Sequence, residues 1–126
     1  MNKSVVNTGN APAPIGPYNQ AILAGDTLYV SGQIPIDPVG GEIVQDTIEE
    51  ETRLVMTNMG NILKEAGMDY SHVVKCSIFI NDMNNFGSVN EVYGTFFQEQ
   101  APARETVEVS RLPKDVRVEI SCIAVK

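Results

Sequence analysis

Apolar and polar residues alternate along several short stretches of this 126-residue chain, a pattern typical of strands that are buried on one face. Two such runs, 19–24 and 27–32, flank Gly25-Asp26, a dipeptide that favours a two-residue hairpin turn. A third run, 73–80, predicts a strand with one apolar face and one mixed face. The residues assigned to its apolar face are Val74, Cys76, Ile78 and Ile80.

A second hairpin is predicted at the C-terminus, where two alternating runs, 105–111 and 116–125, flank a turn. If Pro113 and Lys114 form its tip, paired residues have numbers that sum to 227. One face of this hairpin then carries Arg104, Thr106, Glu108, Glu119 and Ser121. On this register Arg104 and Glu119 are roughly 13 Å apart, at about 3.3 Å per residue. If both act on one small molecule, they come from different subunits.

In two segments between the predicted strands, apolar residues recur at helical spacing. The first helix is expected to begin at Asp46-Thr-Ile-Glu49, which has the form of a capping box, and to end at Gly67. The second is expected to follow Asn81-Asp82. Their apolar stripes are Val55, Met59, Ile62 and Ala66 in the first helix, and Phe86, Val89, Tyr93, Phe96 and Phe97 in the second.

The predicted order is therefore β-β-α-β-α-β-β, in a single domain that spans residues 1–126. Two helices joined through right-handed crossovers do not cover both faces of such a sheet. We expect both on one face of a mixed sheet, which is a two-layer α+β sandwich. Ile123 and Val125 then lie on the open face, and an exposed apolar face predicts self-association. The opposite face of the same strand carries Val118, Ile120, Cys122 and Ala124.

The charge balance disfavours a nucleic-acid partner, because 9 basic minus 16 acidic residues gives −7 and the pI is about 4.5. Cys76 and Cys122 lie within apolar runs and are expected to be buried thiols in a reducing compartment. The sequence shows neither a secretory signal nor an apolar run near the roughly 18 residues of a spanning helix. We therefore expect a cytoplasmic protein without a membrane partner.

Three side chains are candidates for chemistry on a small carboxylate-bearing molecule. The planar guanidinium of Arg104 matches both oxygens of a carboxylate, although a surface pair with Glu105 or Glu108 is an alternative. Glu119 has apolar neighbours, and partial burial would raise its pKa and suit it to proton transfer; a solvent-facing carboxylate is the alternative. Tyr18 ends a Gly-Pro turn and either binds in a pocket or packs on the turn.

Metal and nucleotide cofactors are not expected. His72 is the sole histidine, which excludes a histidine-based metal cluster and disfavours a nucleophile–histidine pair. The glycine-containing segments lack both the Gly-Lys-Ser/Thr of a phosphate-binding loop and a G-x-G-x-x-G motif.

Several segments, in order and over nearly the whole chain, resemble the Rid (reactive intermediate deaminase) or YjgF-like family. They are NAPAPIGPYNQ (10–20), VSGQIP (30–35), VVK (73–75), VNEVY (89–93), PAR (102–104) and VEVSRLPKDVRVEI (107–120). The resemblance implies a chorismate-mutase-like fold and a homotrimer with sites in the clefts between subunits. It also implies hydrolysis of 2-imino acids and their enamine tautomers, such as 2-aminoacrylate, to 2-keto acids and ammonia, without a cofactor.

The resemblance assigns roles to particular residues. By matching motif, Arg104 would hold the substrate carboxylate and Glu119 would position and activate the attacking water. Tyr18 would form a hydrogen bond in the pocket. Further lining residues would be Ser31, Gly32 and Asn90.

One position departs from the family pattern. Many deaminase-type members read Ala-Arg-Ser-Cys-Val where this chain reads Ala103-Arg-Glu-Thr-Val107, so Thr106 occupies the place of a pocket cysteine. A hydroxyl still donates a hydrogen bond, but chemistry that depends on the thiol is lost. We expect the activity to remain and the substrate preference to be affected.

Two other functions stay open at this stage. A non-enzymatic protein that binds 2-keto acids would use the same pocket. A translation inhibitor or endoribonuclease, an activity attached to relatives of this family, is disfavoured by the acidic pI and by the lack of a histidine pair and aromatic stacking runs.

Overall fold

The computed structural model describes residues 2–126, and over that range it contains a six-stranded sheet with two α-helices. The strands are β1 (Lys3–Val6), β2 (Ala21–Ala24), β3 (Thr27–Gln33), β4 (Val73–Ile80), β5 (Ala103–Glu108) and β6 (Val118–Val125). The helices are α1 (Ile48–Glu65) and α2 (Phe86–Gly94). Across the sheet the strand order is β1-β2-β3-β6-β4-β5. Within the described residues no helix has the length and apolar composition needed to cross a membrane.

Both helices pack on one face of the mixed sheet, so the predicted two-layer α+β arrangement is confirmed. Val118, Ile120, Cys122 and Ala124 are buried on the helix-covered face, and Ile123 and Val125 lie on the other face. Cys76 and Cys122 are free and buried, as the alternation predicts. The hairpin around Gly25 is also confirmed, with Gly25 at a φ of 60° in the turn between β2 and β3.

The N-terminal strand β1 was not predicted from the sequence. β1 pairs antiparallel with β2 at the edge of the sheet, so the order is β-β-β-α-β-α-β-β. β1 has four residues, and Val6 alone among them is buried. So short a strand shows no alternation that would mark it in the sequence.

The predicted C-terminal hairpin is wrong. β6 pairs antiparallel with β3 and β4, whereas β5 pairs in parallel with the other side of β4. The connecting chain crosses the end of β4, where Val109 donates to Ile80 and Asn81 donates to Arg117 through backbone hydrogen bonds. Period-two alternation assigns each residue to a face of the sheet but leaves the neighbouring strand undetermined.

This pairing also changes the faces on which the candidate residues lie. Arg104 is opposite Cys76 in β4, so Arg104 and Thr106 lie on the helix-covered face. Glu119 is opposite Phe79, and Glu119 and Ser121 lie on the open face. The prediction that all of them share one face is therefore wrong.

Smaller differences concern element ends. Thr47, rather than Asp46, caps α1, and its hydroxyl accepts from the Glu50 N–H at 3.1 Å. Both positions have a capping residue followed three residues later by Glu, so the sequence does not choose between them. The expected stop at Gly67 is confirmed, with a φ of 74° just after the Ala66 cap.

Two apolar assignments need correction. β4 is irregular between Val73 and Lys75, which leaves Val73 buried and Val74 48% exposed, the reverse of the expected faces. α2 ends at Gly94, before Phe96 and Phe97. Their rings still pack against Tyr70, with centroids at 5.2 and 6.0 Å.

An ion pair attaches the start of β6 to α1. Glu51 is completely buried, and the Arg117 guanidinium donates to its Oε2. Within residues 2–126 the second oxygen of this carboxylate has no hydrogen-bond partner. Since Arg117 precedes Glu119 by two residues, the pair helps to fix the strand end that carries Glu119.

We predict that Arg117→Met destabilises the protein by about 3 kcal/mol, because it leaves the buried Glu51 carboxylate without its cation. This is the lower end of the range for a buried pair, since water reaches the Arg117 side chain. Urea unfolding at a fixed protein concentration measures the change. The double variant Glu51→Leu/Arg117→Met should recover most of the loss. A free energy of unfolding equal to that of the wild type in Arg117→Met would contradict the prediction.

Candidate functional site

A pocket of about 360 Å³ opens beside Glu119 on the open face of the sheet. We call it the Glu119 pocket; it is lined by Ile15, Tyr18, Ser31, Gly32, Ile34, Pro113 and Glu119. An irregularity in β3 shapes its wall. Val30 pairs with Cys122 and Gln33 pairs with Ile120, so β3 carries one residue more than β6 over this interval. The resulting bulge contains Ser31 and Gly32.

The bulge brings the β3 backbone against the Glu119 side chain. A Cβ atom at position 32 would overlap the Glu119 carboxylate, so this close approach requires glycine. Ser31 attaches the bulge to the preceding segment: its hydroxyl donates to the Asn19 carbonyl at 2.7 Å and its N–H donates to the Gln20 carbonyl at 2.9 Å. The hydroxyl oxygen of Ser31 remains able to accept a hydrogen bond.

Glu119 is half-buried, and burial raises the pKa of its carboxyl above the usual range. Among the described residues no cation forms a salt bridge with it. A carboxyl in this environment exchanges protons at a higher pH than a solvated one, which suits it to act as an acid or base.

Tyr18 lies at the mouth of the Glu119 pocket, where its side chain is 46% exposed. Its backbone N–H donates to the Gly16 carbonyl at 2.8 Å, and its hydroxyl accepts from the Ile15 N–H at 3.3 Å. These bonds hold the phenol over the pocket while its hydroxyl hydrogen remains available to a ligand.

Arg104 lies elsewhere, on the helix-covered side of the edge strand β5. Its Nη1 donates to the Asn90 Oδ1 at 2.7 Å, and its guanidinium carbon lies 5.6 Å from the centroid of Phe86 and 5.1 Å from that of Tyr93. The alternative of a surface pair with Glu105 or Glu108 is wrong for this structure. We call Arg104, Asn90, Phe86, Tyr93 and Thr106 the Arg104 cluster.

The two acidic neighbours on β5 have other partners. Glu105 forms a salt bridge with Lys75 at 3.0 Å and accepts from Ser77, whereas Glu108 accepts from the Met83 N–H at 2.7 Å. Arg104 therefore keeps a positive charge that no carboxylate among residues 2–126 neutralises.

Thr106 follows Arg104 on the same face of β5, about 7 Å further along the strand. Its hydroxyl is buried and has no hydrogen-bond partner within the described chain. An unpartnered buried hydroxyl costs free energy unless a ligand or another chain supplies the bond. A cation and a free hydroxyl on one strand face can together bind a small anion.

Each predicted site residue thus belongs to one of two groups. The register positions of Arg104 and Glu119 are three residue steps apart along β4, from Cys76 to Phe79, and β4 itself lies between their strands. The two backbones are therefore about 14 Å apart, and the side chains lie on opposite faces. One group is Tyr18, Ser31, Gly32 and Glu119; the other is Asn90, Arg104 and Thr106.

The apolar spacing on α2 predicted core positions for Phe86 and Tyr93 and did not reveal their contact with Arg104. The signal that could have revealed it is their spacing with Asn90 on α2, because residues four and then three apart lie on one helix face. Among residues 2–126, no three His, Cys, Asp or Glu side chains form a group that could hold a metal ion.

Comparisons with known proteins give consistent results. The family model described as endoribonuclease L-PSP matches residues 8–126. A RutC family protein from Pyrococcus horikoshii is 54% identical over 124 residues, which cover 98% of each chain. The mouse 2-iminobutanoate/2-iminopropanoate deaminase is 47% identical over 98% of this chain and 92% of its own. A crystal structure of an Escherichia coli protein with bound serine superposes with a TM-score of 0.93, at 44% identity over 98% of both chains.

The matches extend over nearly the full length of the chain and of the matched proteins, and the identities far exceed what a shared fold alone requires. The motifs that resemble the Rid and YjgF-like proteins lie within the matched region. The chain therefore belongs to the endoribonuclease L-PSP family, which includes the Rid, YjgF-like and RutC proteins.

Proposed function

We propose that this protein hydrolyses 2-imino acids and their enamine tautomers, such as 2-iminopropanoate and 2-aminoacrylate, to 2-keto acids and ammonia. The observation that carries the proposal is the half-buried Glu119 carboxyl, which has a raised pKa and lies in a pocket of small-molecule size. The similarity to the mouse deaminase, over 98% of this chain, supports the same reaction.

In the proposed reaction Glu119 removes a proton from a water molecule while the water oxygen bonds to C2 of the substrate. The same carboxyl then returns the proton to the substrate nitrogen. The hydroxyl proton of the resulting carbinolamine passes to its NH2 group, the C–N bond breaks as ammonia leaves with the electron pair of that bond, and the C2–O bond becomes the carbonyl of the 2-keto acid. Because the imine carbon is already electrophilic, orientation and one proton shuttle are sufficient.

Arg104 would bind the substrate carboxylate in this reaction. The contact of Nη1 with Asn90 leaves the edge formed by Nε and Nη2 free for a bidentate interaction. Thr106 and the Tyr18 hydroxyl would supply further hydrogen bonds, and Ser31 and Gly32 would line the wall beside Glu119.

We further propose a homotrimer in which each site forms between two subunits. The distance between the two groups supports this arrangement, because it is too large for one small substrate to span within a single chain. In the trimer Glu119 would lie across the bound substrate from Arg104 of the partner subunit. The open face of the sheet also supports self-association, since Tyr29 is 50% exposed and Val125 36% exposed there, beside the partly exposed Ile123.

A protein that binds 2-keto or amino acids without turnover is the second candidate. The serine in the Escherichia coli neighbour is an amino acid, and its carboxylate is the kind of group that Arg104 would bind. Calorimetric titration with 2-ketobutyrate and a turnover assay separate the two functions. Micromolar binding without any acceleration of imine hydrolysis would favour the second candidate.

RNA cleavage has less support from the geometry. His72, the sole histidine of the chain, accepts a hydrogen bond from the Asp69 N–H through Nδ1 at 3.1 Å and closes a short turn before β4. The net charge of −7 also disfavours binding of a phosphate backbone.

We predict that Arg104→Ala lowers kcat/KM by about 100-fold, the loss expected when a bidentate charged contact is removed. The measurement is keto-acid formation in a coupled assay with a serine or threonine dehydratase, in a buffer poor in free amines. Arg104→Lys keeps the charge but lacks the planar fork, so its kcat/KM should lie between the values of the wild type and of Arg104→Ala. Arg53→Ala, which removes an exposed arginine on α1, is the matched control. Wild-type turnover by a folded Arg104→Ala protein would contradict the assigned role.

The pH profile tests Glu119. A carboxyl accepts a proton from water only when it is ionised, so kcat/KM should increase with pH through the raised pKa of Glu119 and level off above it. Glu119→Gln should lack this limb, and its kcat should fall by about 100-fold or more, after subtraction of uncatalysed hydrolysis. An acid limb that persists in Glu119→Gln would assign the titration to another group.

The same substitution should not destabilise the protein at pH 7. Folding raises the pKa of Glu119, so the folded state disfavours the ionised form. Its contribution to stability is therefore lost as pH rises from the unfolded-state pKa through the folded-state pKa. At neutral pH, Glu119→Gln should have a Tm at or above the wild-type value. A clear decrease in Tm would point to a structural role for the carboxylate.

A further inference from the structure

We infer that Phe86 and Tyr93 are positioning residues that hold the Arg104 guanidinium in the orientation in which it receives the substrate carboxylate. The kinetic part of this inference rests on the proposed function. The structural part concerns the free protein and can be tested whatever reaction the protein performs.

Three residues on one face of α2 contact the guanidinium. Phe86, Asn90 and Tyr93 are four and then three positions apart, which places them in a row along the helix. The two rings lie at 5.6 and 5.1 Å from the guanidinium carbon, within the range of cation–π interactions, and the Asn90 amide oxygen accepts from Nη1. The guanidinium of Arg104 therefore interacts with three side chains before any ligand binds.

These contacts leave the carboxylate-binding edge free. An aromatic face attracts the cation but accepts none of its in-plane N–H bonds, and Asn90 uses a single Nη1 hydrogen. The remaining donors on Nε and Nη2 have no partner among the described residues and form the fork that fits a carboxylate. A long flexible side chain that is already ordered loses less entropy when it binds.

The groups beside the aromatic pair carry no negative charge that would compete for Arg104. The Tyr93 hydroxyl is buried beside the Cys76 thiol, and burial raises the pKa of both groups, so both are neutral near pH 7. The nearby carboxylates of Glu105 and Glu108 are bound to Lys75 and to the backbone of Met83. The environment of Arg104 thus orders the cation without neutralising it.

Kinetics of Phe86→Leu and Tyr93→Leu test the role, since each removes one ring and keeps an apolar side chain. We expect KM for the imino acid and Kd for 2-ketobutyrate to rise about threefold to tenfold, the cost of ordering one free arginine side chain on binding, with kcat within twofold. Tyr93→Phe keeps the ring, so its KM and Kd should stay close to the wild-type values. Phe96→Leu is the matched control, because this ring packs on Tyr70 instead of Arg104.

Arginine side-chain NMR gives a readout that does not depend on activity. The Nε–Hε signal of Arg104, identified by its loss in Arg104→Lys, should show an upfield ring-current shift in the free wild-type protein. The shift should decrease in Phe86→Leu and in Tyr93→Leu, and should remain in Phe96→Leu.

Each outcome decides one question. An unshifted Arg104 signal, or unchanged KM and Kd in both leucine variants despite a lower Tm, would overturn the positioning role and leave only a packing role. A shifted signal in a wild-type protein that hydrolyses no imino acid would refute the proposed function. In that case the Kd for 2-ketobutyrate in the same variants still tests the positioning of Arg104.

Discussion

The position of β4 between β5 and β6 is the constraint on which the candidate site depends. It separates the backbones of Arg104 and Glu119 by about 14 Å and places their side chains on opposite faces of the sheet. A direct pair between them would neutralise the cation and lower the pKa of the acid. With the strands in this order, Arg104 keeps its charge and burial keeps the pKa of Glu119 high. Both properties are those that imine hydrolysis would use.

Each half of the site is held by a different local structure. On the open face, the bulge at Ser31 and Gly32 brings the β3 backbone against Glu119, and the ion pair between Glu51 and Arg117 fixes the start of β6. On the other face, α2 orders Arg104 through an amide and two rings. The proposed association of subunits would bring the two halves together.

The sequence predicts much of the fold because burial of one face of a strand or helix requires apolar residues at a regular spacing. The alternation at 118–125, the helical spacing before Gly67 and the turn at Gly25 each correspond to an observed element. It could not predict the partner of β5, since alternation defines a face and not a neighbour. β1 was missed because four residues with one buried side chain carry no period.

For the candidate site too, part of the arrangement could be predicted from the sequence and part could not. The residue types and the family motifs suggested Arg104, Glu119 and Tyr18 from the sequence, but their grouping depends on strand order. The bulge opposite Glu119 arises from one extra residue in β3, which no local pattern marks. The contact of Phe86 and Tyr93 with Arg104 depends on the packing of α2 against β5, so their apolar character suggested core residues instead.

If each active site of the proposed trimer forms between two subunits, mixing two inactive variants should restore activity. Arg104→Ala and Glu119→Gln proteins, each inactive alone, would be unfolded together in equal amounts, refolded and assayed with an imino acid. In a trimer with sites between neighbours, every mixed assembly contains one intact site, so about a quarter of wild-type activity should return. Refolded mixed assemblies without activity would contradict a site in which one subunit supplies Arg104 and its neighbour supplies Glu119.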